Sequence, residues 1–560
     1  MRRAATAVMT IALCLPTPLR AQTKLVESIE VRVTNVDVVV TDKAGNPIVG
    51  LTKDDFEVYE NNKRQTITNF YEVRPDSVAA PADMPAADDA SAIPAEAKRR
   101  RIVFFVDNAS LHPLRRNEVF ASVQKFLDKL FRPGDQAMLV AWNRGLRVIV
   151  PFTDDASRIR KGLTNASVLS GGGAQMDNDK ASLRREVQSM IDDARANTRT
   201  SRNGPSEMQL AYEQALSMAR AHADHLYNNE KALTVAMSTM ITTLAGLEGK
   251  KAMVFIGGQL PDKPGVDMFQ WVDQTFASML PITPNAFREA GRFSLSTELE
   301  RVAKQANANN VTLYLIDGAD PTKGIVGDIT TNEAADPTVE FLDFTSTANT
   351  FGVMAQLTGG MALMRTNNFD LALNTVARDL GAYYSLGYRQ DDDKPGDRKV
   401  VVKTKNPEFR VRSRKTYVAK SADDQTKDRV ISNAFHSQVK GDIPVTLTTT
   451  RPILQDKKHY KVPVRITFPS NITLLPQDDL LVGGFTMYIA VVDDNAEMSA
   501  ITKRSQTLKI KRADEAVLRS RPISFTAEVL VSPGEHYISV AIVDDIASST
   551  GYARTRVAAR

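Results

Sequence analysis

The sequence predicts an α/β fold: a doubly wound, mostly parallel sheet with flanking β modules and a C-terminal β-sandwich. Three observations predict it. From Arg101, short apolar segments alternate with segments of helical spacing, as in a sheet covered on both faces by helices. Residues 29–73 show the two-residue alternation of strands. From about residue 430 to the end, several strands follow without a strong helix, which favours a sandwich.

The α/β region is expected over 101–381. Its first strand, "RIVFFVD", ends at Asp107, and a helix is predicted over 114–131. The further predicted elements are strands at 135–143 and 145–152, a strand at 251–258, helices near 266–280 and 294–309, a strand at 311–317, another helix, a strand at 361–365 and a helix over 367–380. Residues 174–249 are expected to form a helical insertion.

Two β segments bracket this region. The first, residues 22–75, contains a predicted hairpin around Asn61 and Asn62, and the second is expected over 382–420. We expect them to pair with each other because neither is large enough to bury a core alone. Residues 76–100 are rich in Ala, Pro and Asp and are predicted to be a linker, and 430–560 form the expected sandwich.

The N-terminus has the pattern of an export signal over residues 1–21. Arg2 and Arg3 precede a short apolar stretch, and a plausible cleavage site follows Ala21. We therefore expect a periplasmic, cell-surface or extracellular protein. Lipid attachment at Cys14 is disfavoured because a small residue is required before such a cysteine, and Leu13 is large. Cys14 is the only cysteine, so the processed chain would contain no disulfide, thiolate nucleophile or cysteine-based metal site.

Charge gives no reason to expect nucleic acid as a partner. The formal net charge is +5, but the predicted signal contains three arginines and no acids. Removing it leaves 68 basic against 66 acidic residues, which is nearly neutral. No second long apolar segment follows, so no transmembrane segment is expected in the processed chain.

Four stretches, taken in order, resemble bacterial secreted proteins related to the von Willebrand factor A domain. They are "VDVVVTDKAGNPIVGLTKDDFEVYENNKRQTITNF", "RRIVFFVDNAS", "LTGGMALMRTNNFDLALNTVARDLGAYYSLGY" and "RKVVVKTKNPEFRVRSRKTYV". The resemblance covers roughly residues 30 to 420. It implies a doubly wound, Rossmann-like sheet with a metal-ion-dependent adhesion site at the carboxyl ends of the strands.

The resemblance also implies which residues would hold the metal, and most of them are absent. The family's first loop reads D-x-S-x-S, whereas this chain has Asp107 followed by Ala109 and Leu111 at the hydroxyl positions. Ser110 lies one position off and is expected to point elsewhere. The adhesion site is therefore predicted to be degenerate.

The second and third loops lack the family's ligands as well. Gly173 and Ala174 replace the threonine of the second loop. Gly257 and Gly258 replace the aspartate of the third, and Asp262 follows only several residues later. Mg²⁺ requires near-octahedral oxygen ligands with one or two carboxylates, and Ca²⁺ requires more oxygens still. We therefore expect no bound cofactor, with Mg²⁺ or Ca²⁺ as the alternative.

The candidate site residues follow from these loops. Asp107, Ser110 and Asp262 are the weak metal candidates, and the alternative for Asp107 is that it ties down its own loop. The candidates for a binding loop without metal are Asn108, Gly172, Gly173, Gly258 and Gln259.

Other possible sites are weaker still. His222 and His225 have zinc-like spacing on one helix but no third ligand nearby, so exposed histidines are the preferred interpretation. The acid pairs at 493–494 and 544–545 could bind calcium, although Asp at strand ends also serves turn geometry. No G-x-S-x-G or His-Glu zinc motif occurs, so no catalytic residues are predicted.

Three functions remain open. The first is a non-enzymatic, exported binding or scaffold protein that contacts another protein or a cell-envelope component without metal. The second is an adhesion protein in which Asp107, helped by Ser110 or Asp262, holds a divalent ion completed by a partner's carboxylate. The third is a hydrolase with an unfamiliar arrangement of nucleophile and base.

Overall fold

A computed structural model describes most of the chain. The described residues are 33–74, 99–167, 171–200, 204–281, 283–319, 337–364, 366, 368–390, 394–436, 439, 441–456, 458–493 and 497–560. The predicted signal at 1–21 and nearly all of the predicted linker at 76–100 lie outside these residues.

The strands and helices are numbered here in chain order. Up to residue 243 they are β1 (Val33–Thr41), β2 (Phe56–Glu60), β3 (Lys63–Gln65), β4 (Ile67–Val73), β5 (Arg100–Asp107), α1 (Pro113–Leu130), β6 (Gln136–Trp142), β7 (Leu146–Thr153), α2 (Ala156–Ser167), α3 (Gly173–Thr200) and α4 (Gly204–Thr243). From residue 250 to 419 they are β8 (Lys250–Gly257), α5 (Val266–Phe276), α6 (Ser296–Ala308), β9 (Val311–Asp317), α7 (Pro337–Thr358), β10 (Met361–Leu363), α8 (Phe369–Gly381), β11 (Tyr383–Arg389), β12 (Gly396–Thr404), β13 (Arg410–Ser413) and β14 (Thr416–Ala419). The remainder comprises α9 (Ala422–His436), β15 (Thr446–Thr449), β16 (Ile453–Leu454), β17 (Tyr460–Phe468), β18 (Leu474–Gln477), β19 (Leu480–Asp493), β20 (Thr502–Lys511), α10 (Glu515–Arg519), β21 (Ile523–Val531), β22 (Gly534–Asp544) and β23 (Thr550–Ala559).

The central sheet has six strands in the order β10-β9-β8-β5-β6-β7, and all pairs except β6 with β7 are parallel. Every residue of β5 and β8 is buried, which explains the apolar runs at 102–106 and 252–256. Helices α1, α2 and α8 cover one face, where Phe104 packs. Helices α4, α6 and α7 cover the other, where Phe105 packs. The predicted mostly parallel sheet with helices on both faces is present.

The helical region between β7 and β8 differs from a simple insertion. Helix α3 packs on the first half of α4 and on α5, in a cluster that includes Val187, Ala215 and Phe269. The last part of α4, from Leu233 onward, packs directly on the sheet. Helix α4 ends near the amino end of β8 and is much longer than that strand. The first half of α4 therefore projects past the carboxyl ends of the strands.

The two β segments share sheets, as expected from their positions on either side of the α/β region. Strand β11 pairs with β1 and β4, and β1 also pairs with β13. Strand β2 pairs with β12 and, through a turn at Asn61 and Asn62 with positive φ, with β3. Both sheets bury one core that includes Val38, Tyr388 and Val400. We call this unit the β module.

The C-terminal region forms two packed antiparallel sheets around one core, with members such as Val464, Ile489 and Val540. Helix α9 precedes it and was not predicted; the expected boundary at residue 430 falls inside this helix. It packs on β19 and β22 and also contacts α4. The backbone N–H of Gly246 donates to the Ser432 hydroxyl at 2.8 Å, which joins the central unit to the helix.

Candidate functional site

The carboxyl ends of the parallel strands form one rim of the central sheet, which we call the upper edge. Asp107 ends β5, Trp142 ends β6, Gly257 ends β8 and Asp317 ends β9. Loops that follow such strand ends form the usual ligand crevice of open α/β sheets. The upper edge is therefore where the predicted binding residues belong.

Asp107 is held by its own loop. Its side chain is 1% exposed. Oδ1 accepts hydrogen bonds from the backbone N–H of Ala109 at 3.0 Å and of Ser110 at 3.3 Å. Oδ2 accepts from the Ser110 hydroxyl at 2.5 Å. Both carboxylate oxygens thus accept hydrogen bonds from residues at most three positions away. This is the alternative in which Asp107 ties down its own loop.

The expectation that Ser110 points elsewhere is wrong. Its hydroxyl donates to Asp107 and accepts from the backbone N–H of Gly258 at 2.8 Å. A serine one position off the family pattern reaches the carboxylate because the chain turns tightly at 108–110. Ser110 thereby links the loop after β5 to the loop after β8.

Ala109 and Leu111, the residues at the expected hydroxyl positions, provide no oxygen ligand from their side chains. Leu111 is fully buried and belongs to the apolar core with Val106 and Ile316. A methyl group added to Gly318 would lie 2.5 Å from Leu111 Cδ2, so the side chain fills its space tightly. The packing of Leu111 in the core anchors the loop.

The three glycine candidates are packing positions. Added Cβ atoms would lie 2.3 Å from the Ala109 oxygen at Gly172, 2.6 Å from the His112 nitrogen at Gly173 and 2.5 Å from the Ser110 oxygen at Gly258. At each glycine, the backbone therefore passes the loop at 109–112 at a distance that only a residue without a Cβ atom permits.

Asn108 is likewise engaged inside the protein. Its side-chain oxygen accepts from Arg116 Nη1 at 2.9 Å, and its backbone oxygen accepts from the N–H of Gly172 at 2.9 Å. Arg116 Nη2 also donates to the Ser167 oxygen at 2.6 Å. These bonds connect the loop after β5 with the start of α3. Asn108 therefore holds two segments of the upper edge together.

Asp262 and Gln259 lie further along the loop after β8. Asp262 Oδ1 accepts from the Ser346 hydroxyl at 2.5 Å, and the backbone N–H of Asp262 donates to Ser346 Oγ at 3.0 Å. Its contacts thus tie it to α7. Gln259 lines a small recess of about 30 Å³ beside α3 and α4.

Burial of Asp107 raises its pKa to about 6, although the hydrogen bonds from Ser110 and the two amides oppose the shift. Within the part of the chain that the structure describes, no three His, Cys, Asp or Glu side chains are grouped so as to hold a metal ion. The residues present do not fit the divalent ion of an adhesion site.

A cleft of about 380 Å³ opens beside this loop, and we call it the rim cleft. The upper edge forms one wall and the projecting parts of α3 and α4 form the other. Its lining includes Asp107, Ala109, Ser110, Trp142, Asn143, Arg144, Gly171, Gly172, Gln175, Met176, Asp179, His222, His225, Leu226, Asn229, Glu230 and Leu233. The fold thus leaves a polar cavity next to the Asp107 carboxylate, whose hydrogen bonds come from its own loop.

The two histidines of α4 are not both exposed, in contrast to the expectation. His222 is half-buried between the rim cleft and the small recess, and burial lowers its pKa. His225 is exposed and lies 3.0 Å from the Asn229 amide nitrogen. A buried ion pair between Lys180 and Asp267 lines the recess. The histidines therefore belong to a cleft wall.

Sequence reasoning missed Asp317, which ends β9 as Asp107 ends β5. It is buried, and its Oδ1 accepts from the backbone N–H of Ala319 at 2.9 Å. The signal was available, because "VTLYLID" repeats the pattern of "RIVFFVD". The contribution of α3 and α4 to the cleft was also missed.

The acids at the strand ends of the C-terminal region hold turns. Asp544 Oδ1 accepts from the N–H groups of Ile546 and Ala547, and Oδ2 accepts from Thr473 at 2.6 Å. Asp493 Oδ1 accepts from the N–H of Glu497 at 2.7 Å. Residue 494 lies outside the described residues. The bonds of Asp493 and Asp544 fit the turn interpretation, whereas Asp545 Oδ1 accepts from the Thr486 hydroxyl of β19 at 2.7 Å.

Comparison with known proteins leaves the family open. No family model matches the chain, and no curated protein matches it. Similar solved structures include an aerotolerance-related membrane protein from Bacteroides fragilis, at 11% identity over 50% of this chain and 98% of that one, with a TM-score of 0.24. BatB from Bacteroides thetaiotaomicron shows 10% identity over 50% and 97%, with a TM-score of 0.22.

A third similar structure comprises three N-terminal domains of the type V pili tip protein Mfa5 from Porphyromonas gingivalis. It shows 10% identity over 97% of this chain and 79% of that one, with a TM-score of 0.24. These similarities are too distant to assign a family or a function. Within the described residues, no helix combines the length and the hydropathy needed to cross a bilayer.

Proposed function

We propose that this chain is an exported, non-enzymatic binding or scaffold protein of von Willebrand A-like architecture. It contacts a protein partner or a cell-envelope component through the loops of its upper edge and needs no metal. The observation that carries this proposal is that Ala109 and Ser110 hydrogen-bond both Asp107 oxygens, so that a cation would have to compete with the loop's own donors for this carboxylate.

Apolar exposure at the same edge supports a docking role. Leu114 is 69% exposed at the start of α1, and Leu371 is 61% exposed at the start of α8. Arg115 Nη2 donates to the Thr366 oxygen at 2.7 Å, which ties the two helix starts together. Large apolar side chains on the surface next to polar loops are typical of protein interaction sites.

Cosedimentation with envelope fragments from the producing cells tests this function. We expect the protein to bind these fragments equally in EDTA and in Mg²⁺. The double variant Leu114→Ser/Leu371→Ser should bind about thirtyfold less, since two leucines that contribute roughly 1 kcal/mol each would contribute about 2 kcal/mol together. Val517→Ser, at an equally exposed position of the C-terminal region, is the matched control and should bind normally.

The same experiment addresses the metal-dependent alternative. Binding that disappears in EDTA and returns with Mg²⁺, Mn²⁺ or Ca²⁺ would favour a residual metal site at Asp107. The hydrolase alternative has less support: among the described residues that line the rim cleft, Ser110 is the one with a hydroxyl side chain, and it donates to Asp107 instead of to a histidine.

A further inference from the structure

The two sheets of the C-terminal region differ in width. In the narrower sheet, β17 pairs with β21 on one side and with β15 and β16 on the other, which gives three strand positions. The wider sheet has four positions, in the order β20, β19, β22 and β23. Strand β15 contacts β23, and the rings of Phe525 in β21 and Phe485 in β19 stack with centroids 5.8 Å apart. Among the described residues, the narrower sheet therefore has no strand opposite β20.

The side of β20 that faces this missing position is exposed. Residues directly opposite each other in an antiparallel pair point to the same face of the sheet. Arg504 and Gln506 lie opposite the core residues Met487 and Phe485, so both point toward the interior of the sandwich. Both are nevertheless exposed. An open position, which we call the strand slot, therefore lies beside β21 and opposite β20.

The free edge of β21 has the features of a strand that can accept another strand. Among the described strands, β21 pairs with β17 alone, so alternate residues direct their N–H and C=O groups away from the sheet. Edge strands are commonly protected against such pairing by lysine, by proline or by a bulge. The other edge strand, β20, contains three lysines and one arginine, whereas β21 reads "ISFTAEVLV" and pairs in one unbroken register. The β21 edge lacks this protection.

The position of β20 restricts what can occupy the slot. If a second folded copy of this chain paired its own β21 with this edge, its β19 would occupy the space that β20 already fills. A single extended segment with no second sheet behind it avoids this clash. Its inward side chains would meet Phe525 and Leu508, which pack against the core, and the exposed guanidinium of Arg504. Apolar residues and one carboxylate on the same face of the segment match this lining.

We propose that the strand slot binds an extended segment of a partner protein, which pairs with β21 and completes the narrower sheet. Main-chain hydrogen bonds to β21 provide affinity in this mode of recognition, and the alternate side chains provide specificity. The inward face of the segment is apolar except for an acid that pairs with Arg504. This surface is separate from the upper edge, and the inference does not depend on the proposed function.

Fluorescence anisotropy with the full protein and labelled nine-residue peptides tests this inference. The probe alternates valine and threonine and carries glutamate in place of the central valine. Two derivatives carry three N-methyl groups each, one on the valine and glutamate positions and the other on threonines. Because the N–H groups of alternate residues in a strand point to opposite edges, only one derivative loses the donors that face β21. We expect the probe and the other derivative to bind.

Arg504→Glu reverses the charge in the slot and should weaken binding of the glutamate probe about tenfold or more. A probe with lysine in place of glutamate should bind this variant better than the wild type. Lys509→Glu is the matched control, because Lys509 is exposed on the same strand and lies opposite Val482, on the other face of the sheet. It should change binding by less than about twofold.

Three outcomes would overturn the inference. The first is no binding of the glutamate probe at concentrations up to about 1 mM. The second is that both N-methylated derivatives bind equally or that neither binds, and the third is an equal loss of binding in the two variants. Binding of envelope fragments through the upper edge is measured separately, so this inference and the proposed function can fail independently.

Discussion

The two edges of the central sheet both bury charged side chains, but they do so in different ways. At the amino ends of β5 and β8, which we call the lower edge, Arg100, Arg101, Lys250 and Lys251 are all buried. At the upper edge, buried Asp107 forms its side-chain hydrogen bonds within its own loop. The lower edge connects several elements, whereas the Asp107 carboxylate connects residues of one turn.

Partners on other elements or on the segments that connect them satisfy the lower-edge cations. Arg100 Nε donates to Asp135 Oδ1 at 2.7 Å, and Lys251 Nζ donates to the Leu247 oxygen at 2.9 Å near the end of α4. Lys250 Nζ lies 3.6 Å from the ring centroid of Tyr383, on the β module. Burial lowers the pKa of Lys251 to about 7. These charges are enclosed where the sheet meets its neighbours.

This difference indicates a division of roles. A buried charge whose partner lies on another element stabilises the arrangement of those elements. A carboxylate satisfied by its own loop makes no such connection, and the space beside it remains open as the rim cleft. We therefore assign stability to the lower edge, and the proposed function places recognition at the upper edge.

The largest expected effect tests the lower edge. Asp135→Ala removes the partner of buried Arg100 and should lower the free energy of unfolding by about 3–5 kcal/mol. Asp128→Ala is the control, because Asp128 pairs with Arg160 at the surface; it should cost about 0.5 kcal/mol or less. Urea unfolding followed by circular dichroism measures both. Equal costs would contradict the assignment of stability to this edge.

The sheet and the position of Asp107 could be predicted because local patterns determine them. The apolar run that ends at Asp107 and the alternation in 33–40 each reflect burial of one strand. The orientation of Ser110 could not be predicted, since it depends on the N–H of Gly258, 148 residues away. The rim cleft could not be predicted either, because four separate segments of the chain form it.

Helix α9 was missed for a related reason. It begins with the polar residues that follow Ala422 and buries a short stripe that includes Val430, Ile431 and Ala434. This stripe meets β19, β22 and α4, and a pattern in one segment does not reveal such distant partners.

A smaller effect is expected where the two loops of the upper edge pass each other. Gly258→Ala would place a methyl group 2.5 Å from the Ser110 oxygen and should lower the free energy of unfolding by about 1–3 kcal/mol. Gly291→Ala is the control, because an added Cβ there meets no atom within 4 Å, and its stability should change by less than about 0.5 kcal/mol. If both variants unfold at the same urea concentration, the close packing of these loops is not needed for stability.

The smallest effect concerns the Asp107 carboxylate itself. Its pKa is raised from 3.8 to about 6, so the folded protein holds this proton more tightly than the unfolded chain does. The stability that the group contributes is complete below about pH 4 and is lost as the pH rises through about 6. Asp107→Asn keeps the shape and removes the titration, and the amide oxygen can still accept from Ala109 and Ser110.

At neutral pH we therefore expect Asp107→Asn to raise the free energy of unfolding by about 1 kcal/mol. This is less than the full pKa shift would give, because an amide accepts weaker hydrogen bonds than a carboxylate. The difference between variant and wild type should shrink as the pH falls from about 6 to 4, which urea unfolding at several pH values measures. Two outcomes would show that the ionised carboxylate is needed at the upper edge. In the first, the variant is less stable than the wild type at neutral pH. In the second, Mg²⁺ stabilises the wild type and does not stabilise the variant. In that case recognition there would again require an ion.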